Sequence, residues 1–360
     1  MRTLRAMSCV AAAALALQVG GVGAASQMVL KVPLAFTTNL PGMGSTAKWM
    51  SERIGVASGD SVKMKIYEPG KLIAPREILD AVSTGKVNAG YATAGYWTGK
   101  LPAAQLFSTI PFGPEAGEYL AWLWYGNGME LYQQLYDQGG YNVKVLLCGI
   151  VAPESSGWFS TDIEDIEQLK GLKMRFVGFG GQVFRKLGVQ TSTQSGGKIV
   201  QSLQDKSLDA AEFSMPAIDR MLGLQELATY NFFPGWHQQA MTMELLINKE
   251  TWNRMNKAQQ MIVDVMCRAA TADSFAYTEA IQAEVMMTNA SQYGVQYRYW
   301  PQEMLDTFEK TWLEVAEEQA AKDSFFRKVW DDMREYRASH AIWKSNAFLP
   351  RNAQPSANGQ

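Results

Sequence analysis

The chain has 360 residues and a formal net charge of −2, with 33 lysines and arginines against 35 aspartates and glutamates. This length is enough for two domains with sizeable cores, while the charge balance offers no basic face for nucleic acid or an anionic membrane surface. We therefore expect a two-domain protein without a nucleic-acid partner.

The first 25 residues have the pattern of an export signal. Arg2 and Arg5 precede an apolar run from Ala6 to about Val22, and small residues follow where a signal peptidase would cut. The run is too short and too glycine-broken for a permanent membrane span. The pattern predicts a cleaved signal peptide over residues 1–25 and a mature protein in the periplasm.

Strand and helix patterns alternate along the mature chain. Pro75 in the first turn of one predicted helix and Gly85 just after its end are typical helix boundaries. Strands separated by helices predict an α/β fold with largely parallel sheets. The predicted strands cover residues 28–34, 61–67, 87–92 and 142–150, and then 157–161, 172–177, 208–213 and 241–248.

The strands form two series that meet near Val151, and we interpret them as two similar-sized lobes. The segment from Glu250 to about Gln292 contains no proline or glycine. It predicts one helix of roughly forty residues, on the order of 60 Å long, that braces both lobes. The predicted organisation is lobe I from 26–152 and about 241–280, lobe II from 153–240 and about 281–300, C-terminal helices over 301–345 with a soft break at Lys322–Asp323, and a disordered tail over 346–360.

Two cysteines, Cys148 and Cys267, remain after the signal peptide is removed. One pair in more than three hundred residues is not the framework of a disulfide-stabilised protein. Cys148 ends an apolar strand and Cys267 lies in a helical pattern, so two buried free thiols are favoured over a bridge.

The segment from Val151 to Ala210 contains the clearest candidate for ligand binding. Arg175 ends a short apolar strand and stands just before a glycine-punctuated helix start. A strand tip followed by free helix N–H groups is suited to an anion, and an arginine adds a planar fork that fits a carboxylate. The pattern predicts carboxylate binding by Arg175.

Three glutamates lie near predicted lobe-crossing strands. Glu154 follows an apolar strand, Glu212 ends the strand "LDAAEF", and Glu244 lies inside the apolar strand "MTMELLIN". A buried acid is costly unless it is paired or binds a metal. For each glutamate alone a salt bridge is the commoner explanation, but three with one arginine favour a site for a hard cation such as sodium, calcium or magnesium.

Several catalytic and nucleotide-binding patterns are absent. "VGFGGQV" resembles a dinucleotide fingerprint, but Val183 stands where the third glycine belongs. His237 and His340 are the only histidines, which excludes a histidine-rich zinc site. A Cys148–His237 nucleophile pair has no support in the sequence.

Four segments, "DAVSTGKVNAGYATAGYWTGK", "LKGLKMRFVGFGGQVFRKLG", "SLDAAEF" and "YNFFPGWHQ…MELLINK", resemble the solute-binding proteins of tripartite ATP-independent periplasmic (TRAP) transporters. The similarity is to the subgroup that binds 2-oxo and 2-hydroxy monocarboxylates. It implies two α/β lobes that close over a ligand, a long helix spanning both lobes, and delivery of the ligand to a membrane permease.

The resemblance also implies roles for individual residues. Arg175 occupies the position that clamps the substrate carboxylate, and Tyr96 and Trp97 correspond to aromatic residues facing the cleft. Glu154 is expected to contact both the metal and the substrate. The other implied metal ligands are Glu212, Glu244 and Phe213, the last through its backbone carbonyl.

Glu154 falls where relatives can have glutamine, so it adds one negative charge to the implied site. Counting the three glutamates and a substrate carboxylate against Arg175 leaves a formal charge of −3 before the ion binds. Calcium compensates this charge better than sodium, and uncompensated charge is costly at low dielectric. We therefore expect calcium, with sodium as the alternative.

The C-terminal region carries an apolar stripe whose members are Met304, Leu305, Phe308, Trp312 and Val315. The stripe can pack against the chain's own lobe, but the resemblance favours a homodimer. Two other functions stay open: a periplasmic ligand-sensing domain, and a metal-dependent enzyme acting on 2-oxoacids, against which stands the lack of a histidine base or an activated nucleophile.

Overall fold

The computed structural model describes residues 27–194 and 196–349. The predicted signal peptide and residues 350–360 of the predicted tail lie outside the described residues. Within those two ranges, no helix has both the length and the apolar composition that a membrane crossing requires.

The structure has the predicted α/β class. Its strands are β1 (Met28–Pro33), β2 (Val62–Tyr67), β3 (Ala89–Ala92), β4 (Val143–Val151), β5 (Gly157–Phe159), β6 (Lys173–Arg175), β7 (Gln190–Ser192), β8 (Ala210–Ala211), β9 (Tyr230–Phe233), β10 (Met241–Asn248) and β11 (Gln296–Tyr299). Its α-helices are α1 (Gly44–Ala57), α2 (Ile78–Ser83), α3 (Ala116–Tyr125), α4 (Gly128–Gln138), α5 (Gly178–Lys186), α6 (Gly196–Gln204), α7 (Pro216–Leu222), α8 (Lys249–Arg254), α9 (Lys257–Ala280), α10 (Gln282–Tyr293), α11 (Gln302–Lys322) and α12 (Ser324–Ala347). Short 3-10 helices cover Pro75–Glu77, Ala94–Trp97, Pro102–Phe107, Ile166–Leu169 and Leu224–Glu226.

Lobe I is built on the strands β1, β2, β3, β10 and β4. β1 and β2 pair in parallel, and a bridge between Leu34 and Tyr91 places them beside β3. β10 lies between β3 and β4 and is buried along its whole length, which its nearly continuous apolar sequence favours. The strand predicted over 241–248 thus pairs with two strands that precede Val151 by sequence or end at it.

Lobe II contains a six-stranded sheet in the order β11-β9-β5-β8-β6-β7. The expectation of largely parallel sheets is only partly correct. β5 runs antiparallel to β8 and β9, and β10 runs antiparallel to β3 and β4. The antiparallel strands are those that follow a crossing between the lobes, and the chain direction reverses there.

The single long helix predicted from Glu250 to about Gln292 is divided into three helices, α8, α9 and α10. α9 begins at Lys257 because Asn256 and Gln259 form a capping box, and the helix is interrupted at Ile281 before α10. α9 packs on β4 and α1, while α10 packs on α7 of lobe II. The hydroxyl of Ser274 bonds to both backbone groups of Ile150, so this helix is fixed to the strand that leaves lobe I.

The segment Glu118–Tyr136, whose sequence has a continuous helical pattern, forms parts of two helices, α3 and α4. Gly126 and Gly128 lie on either side of the break. A Cβ atom on Gly126 would lie 2.8 Å from the carbonyl oxygen of Trp122, so the turn requires a residue without a side chain.

The prediction of two free thiols is wrong, because Cys148 and Cys267 form a disulfide. Cys148 lies in β4 and Cys267 lies in α9, 119 residues later, so sequence spacing gave no sign that they meet. They meet because α9 lies across β4. A bridge that closes so long a loop typically stabilises a fold by about 2–4 kcal/mol.

The two C-terminal helices contact different lobes. Phe308 and Trp312, from the apolar stripe of α11, are buried and pack on Trp236 and Phe179 of the same chain. After the break at Asp323, which confirms the predicted soft break, α12 returns over lobe I. α12 continues to Ala347, so the predicted tail begins later than residue 346.

Candidate ligand-binding site

Arg175 lies at the end of β6, in lobe II, with only 8% of its surface exposed. Its Nε donates to the Gln194 carbonyl at 3.2 Å, and one terminal nitrogen donates to the carbonyl and, at 2.8 Å, to the carboxylate of Glu212. The ring of Phe213 lies 5.3 Å from the guanidinium carbon. Among the described residues, the second terminal nitrogen has no hydrogen-bond partner, so one edge of the fork is available to a ligand carboxylate.

The helix α5 starts three residues after Arg175. Val177 precedes its first turn in an extended conformation, and its side chain provides no cap for the first N–H groups of the helix. Gly178 has a φ of +64°, which favours glycine at this position. The local structure therefore has the strand–turn–helix form that the sequence predicted for an anion site.

Glu154, Glu212 and His237 form a compact buried group next to Arg175. Each offers one ligand atom, and these atoms all lie within 4.8 Å of one another. His237 Nε2 is 3.3 Å from Glu154 Oε2 and 3.7 Å from Glu212 Oε1. The three residues come from the crossing after β4, the end of β8 and the loop after β9, so only the tertiary fold brings them together.

The group is held together by close backbone packing. The N–H of Glu154 donates to the Gln238 carbonyl at 3.2 Å. A Cβ on Gly235 would collide with the Glu154 carbonyl, so the loop that carries His237 can approach Glu154 only because residue 235 is glycine.

Burial and charge act in opposite directions on the two glutamates. Burial raises the pKa of Glu154, and its contact with His237 only partly offsets this effect. Burial also acts to raise the pKa of Glu212, but the Arg175 guanidinium and then His237 outweigh it and lower that pKa. Arg175 and His237 therefore compensate the charge of Glu212, while the charge of Glu154 is compensated less completely.

These residues fit a hard cation. Two carboxylate oxygens of the kind that calcium and sodium prefer lie close together, away from solvent, with one guanidinium nearby. The Nδ1 atom of His237 is buried without a hydrogen-bond partner in the described part of the chain. Such a like-charged pair is stable only with a cation or a proton between its members.

Glu244 is not part of this group, which corrects the prediction that it joins Glu154 and Glu212 at the ion. It lies in β10, in the lobe I sheet, and is completely buried. Its carboxylate accepts hydrogen bonds from Trp97 Nε1 at 2.7 Å, Tyr132 at 2.5 Å and Tyr136 at 2.6 Å. These three donors of lobe I occupy the oxygens that an ion would need.

Tyr96 and Trp97 are adjacent in sequence but differ in environment. Burial raises the pKa of Tyr96, and the guanidinium groups of Arg76 and Arg175 only partly offset this effect. The Tyr96 ring lies 5.4 Å from that of Phe36 and 6.2 Å from that of Trp97, both in lobe I. Trp97 is only 1% exposed and donates to Glu244 in the interior of lobe I.

Three residues in or around this site are not predicted as site residues by the sequence. His237 lies in the loop "PGWHQ", within one of the segments that carry the resemblance, but the sequence pattern supports neither a zinc site nor a catalytic base there. Asp219, in α7, is fully buried and accepts from Trp158 at 2.7 Å; burial and then nearby carboxylates raise its pKa. Arg76 lies 5.6 Å from the Tyr96 ring centre, and nothing in the sequence relates these two positions.

Protonated His237 should stabilise the cation-free protein. Burial is the largest effect and lowers the pKa of His237, but its contacts with Glu154 and Glu212 together raise the pKa to about 9. In the unfolded chain the imidazole has its ordinary pKa near 6.5. The stabilisation is therefore fully present below about pH 6.5 and is lost as the pH rises through 9.

We predict that the free energy of unfolding of chelator-treated protein falls between pH 6.5 and 9 by on the order of 3 kcal/mol. Denaturant titrations at several pH values measure this. His237→Gln should flatten the profile, and His340→Gln, at the other histidine of the chain, serves as the control. An unchanged profile in His237→Gln would contradict the assignment.

Comparison with known proteins agrees with this fold. Residues 37–323 match the family described as bacterial extracellular solute-binding protein, family 7. The chain is 31% identical over 297 residues to the monocarboxylate 2-oxoacid-binding periplasmic protein of Nostoc sp., a match that covers 82% of this chain and 81% of that protein.

Two crystal structures of TRAP transporter solute-binding proteins have the same two-lobed fold. The protein from Pseudoalteromonas atlantica, with bound sodium and pyruvate, is 28% identical with a TM-score of 0.82, covering 89% of this chain and 97% of that one. The protein from Bordetella bronchiseptica, a mixed-occupancy dimer with calcium and picolinate in one active site and an apo second site, is 25% identical with a TM-score of 0.83, covering 89% and 95%.

The family match extends over most of the chain, and its members are solute receptors, which overturns the alternative of an enzyme acting on 2-oxoacids. The chain therefore belongs to bacterial extracellular solute-binding protein family 7 and is a solute-binding protein of the TRAP transporter type.

Proposed function

We propose that this protein captures a small 2-oxo or 2-hydroxy monocarboxylate, such as pyruvate or lactate, in the periplasm and delivers it to the membrane subunits of a TRAP permease. The observation that carries the proposal is the buried Glu154–Glu212 pair beside an Arg175 with one free edge. The substrate class of the Nostoc relative and the pyruvate bound in the Pseudoalteromonas structure support it.

The proposed site divides the recognition of the ligand into two parts. Arg175 donates to the substrate carboxylate through the terminal nitrogen that faces away from Glu212. The two glutamates would hold a cation, which would supply positive charge to the carboxylate end of the substrate. Glu212 contributes to both parts, because it also bonds to Arg175 and so fixes the direction of the fork.

The opposite wall comes from lobe I. In this proposal the Tyr96 phenol faces Arg175, and Phe36 lies against the Tyr96 ring with 5.4 Å between the ring centres. Closing the lobes over the ligand would exclude water and so strengthen the charged contacts of Arg175. These aromatic rings would then limit the size of the substituent on C2.

Arg175→Lys tests the proposal directly. An ammonium group cannot provide the planar fork, so pyruvate and lactate should bind at least about tenfold more weakly, measured by calorimetry with calcium present. Arg185→Lys is the matched control, because Arg185 lies in α5 of the same lobe and bonds to Thr191 on the surface. Wild-type affinity in Arg175→Lys would remove this residue from the site, and no binding of any 2-oxo or 2-hydroxy acid by the wild type would refute the function.

We further propose that the cation is calcium. With Glu244 in lobe I, the site charge is recounted from Glu154, Glu212 and the substrate carboxylate against Arg175, which leaves −2 when His237 is neutral. Calcium neutralises this charge, whereas sodium leaves −1, and a buried net charge is costly. Elemental analysis of protein purified without chelator should find about one calcium per chain. Stoichiometric sodium without calcium would contradict this assignment.

We also propose a homodimer, as in the Bordetella relative. The α11 stripe is used within the chain, so the surface available to a second copy is the end of α12, where Ile342 and Trp343 are 71% and 62% exposed. Light scattering at micromolar concentration should give a dimer mass, and the double substitution Ile342→Ser/Trp343→Ser should lower it. A monomer mass for the wild type would exclude the dimer.

A further inference from the structure

Glu244 is a fully buried carboxylate whose role is not explained by the cation site. Among the described residues it has no cationic partner, and its three hydrogen bonds come from the neutral groups of Trp97, Tyr132 and Tyr136. Removing a carboxylate from water costs several kcal/mol, and an apolar residue of similar size would fit a sheet centre at lower cost. The arrangement therefore calls for a functional explanation.

Two of the three donors belong to a rigid support. Tyr132 and Tyr136 lie one turn apart on α4, stacked with 5.8 Å between ring centres, and Tyr132 also stacks on Phe107 at 4.4 Å. Both tyrosines are fully buried. Glu244 itself lies in the central strand of the sheet, at an irregularity in its pairing with β4. The carboxylate is thus fixed from the sheet and from α4.

The third donor belongs to the wall of the cleft. Trp97 ends the 3-10 helix Ala94–Trp97, and the preceding residue is Tyr96, which the proposed function places in the wall of the cleft. The two rings contact edge to face with 6.2 Å between their centres. A shift of Trp97 would therefore move the backbone and the ring of Tyr96.

β10 holds this part of lobe I at two points. Thr242 fixes the end of the 3-10 helix Pro102–Phe107, since its hydroxyl donates to the Phe107 carbonyl and its N–H donates to the Ser108 carbonyl. Glu244, two residues later, fixes the 3-10 helix Ala94–Trp97, which contains Tyr96, through the 2.7 Å bond from Trp97. Because both partners of this hydrogen bond are buried, it is not weakened by competition with water.

We propose that Glu244 is a positioning residue: through Trp97 it fixes the helix Ala94–Trp97 and thereby holds Tyr96 in the wall that meets the substrate. The inference rests on the proposed function and deepens it, because it separates substrate recognition in lobe I from cation binding in lobe II. It also assigns different roles to the hydrogen bonds of Glu244. The bond from Trp97 positions the wall of the site, whereas the bond from Tyr136 only stabilises the packing of α4 on the sheet.

The test compares three substitutions by calorimetry, with pyruvate titrated in the presence of calcium and calcium titrated alone. Glu244→Gln and Trp97→Phe should each weaken pyruvate binding about tenfold, and the double variant should lose little more than either single one. Tyr136→Phe should lower the melting temperature but change pyruvate affinity less than about twofold. Calcium affinity in the absence of pyruvate should be unchanged in all three.

Two results would overturn the inference. Equal losses of pyruvate affinity in Tyr136→Phe and Trp97→Phe would mean that the network acts only through stability. A large loss of calcium affinity in Glu244→Gln would instead make Glu244 a ligand of the ion. If Glu244→Gln does not fold, the Trp97→Phe and Tyr136→Phe pair decides alone. Absence of pyruvate binding by the wild type refutes the proposed function together with this inference, whereas normal binding in wild type and variants refutes only the inference.

Discussion

The burial of Glu154 and Glu212 within a few ångströms of each other is the constraint on which the site depends. One guanidinium cannot neutralise two carboxylates, so the pair requires a further positive charge from His237 or from a cation. In the cation-free protein a protonated His237 meets this need. When a cation binds together with an organic acid, the cation would supply this positive charge instead of His237. The buried glutamate pair therefore favours the capture of a ligand.

The rest of the fold supports that pair. Glu154 comes from the crossing segment after β4, and Glu212 comes from a strand end of lobe II. Ser274 and the Cys148–Cys267 disulfide attach α9 to β4, the strand that leads into this crossing. In the proposed site, lobe I contributes an aromatic wall that Glu244 positions through Trp97. The buried acids of this protein therefore have two different tasks, and neutral donors, rather than cations, stabilise the one in lobe I.

The sequence predicted the features that are encoded locally. Arg175 at a strand end, the burial of strand 241–248 and the break before Ser324 all follow from patterns of a few residues. Contacts between distant segments were not predictable in this way. The disulfide, the position of His237 and the separation of Glu244 from the other glutamates depend on which elements lie side by side. An acid inside an apolar strand has the same pattern whether it meets an ion or three aromatic donors.

In the proposed site the cation and the organic acid bind together and stabilise each other. Pyruvate affinity measured across a series of free calcium concentrations tests this coupling, because linkage requires each ligand to raise the affinity for the other by the same factor. Pyruvate binding should strengthen as free calcium rises and should be lost in excess chelator. The same pyruvate affinity with saturating calcium and with chelator would show that the two ligands do not share a site.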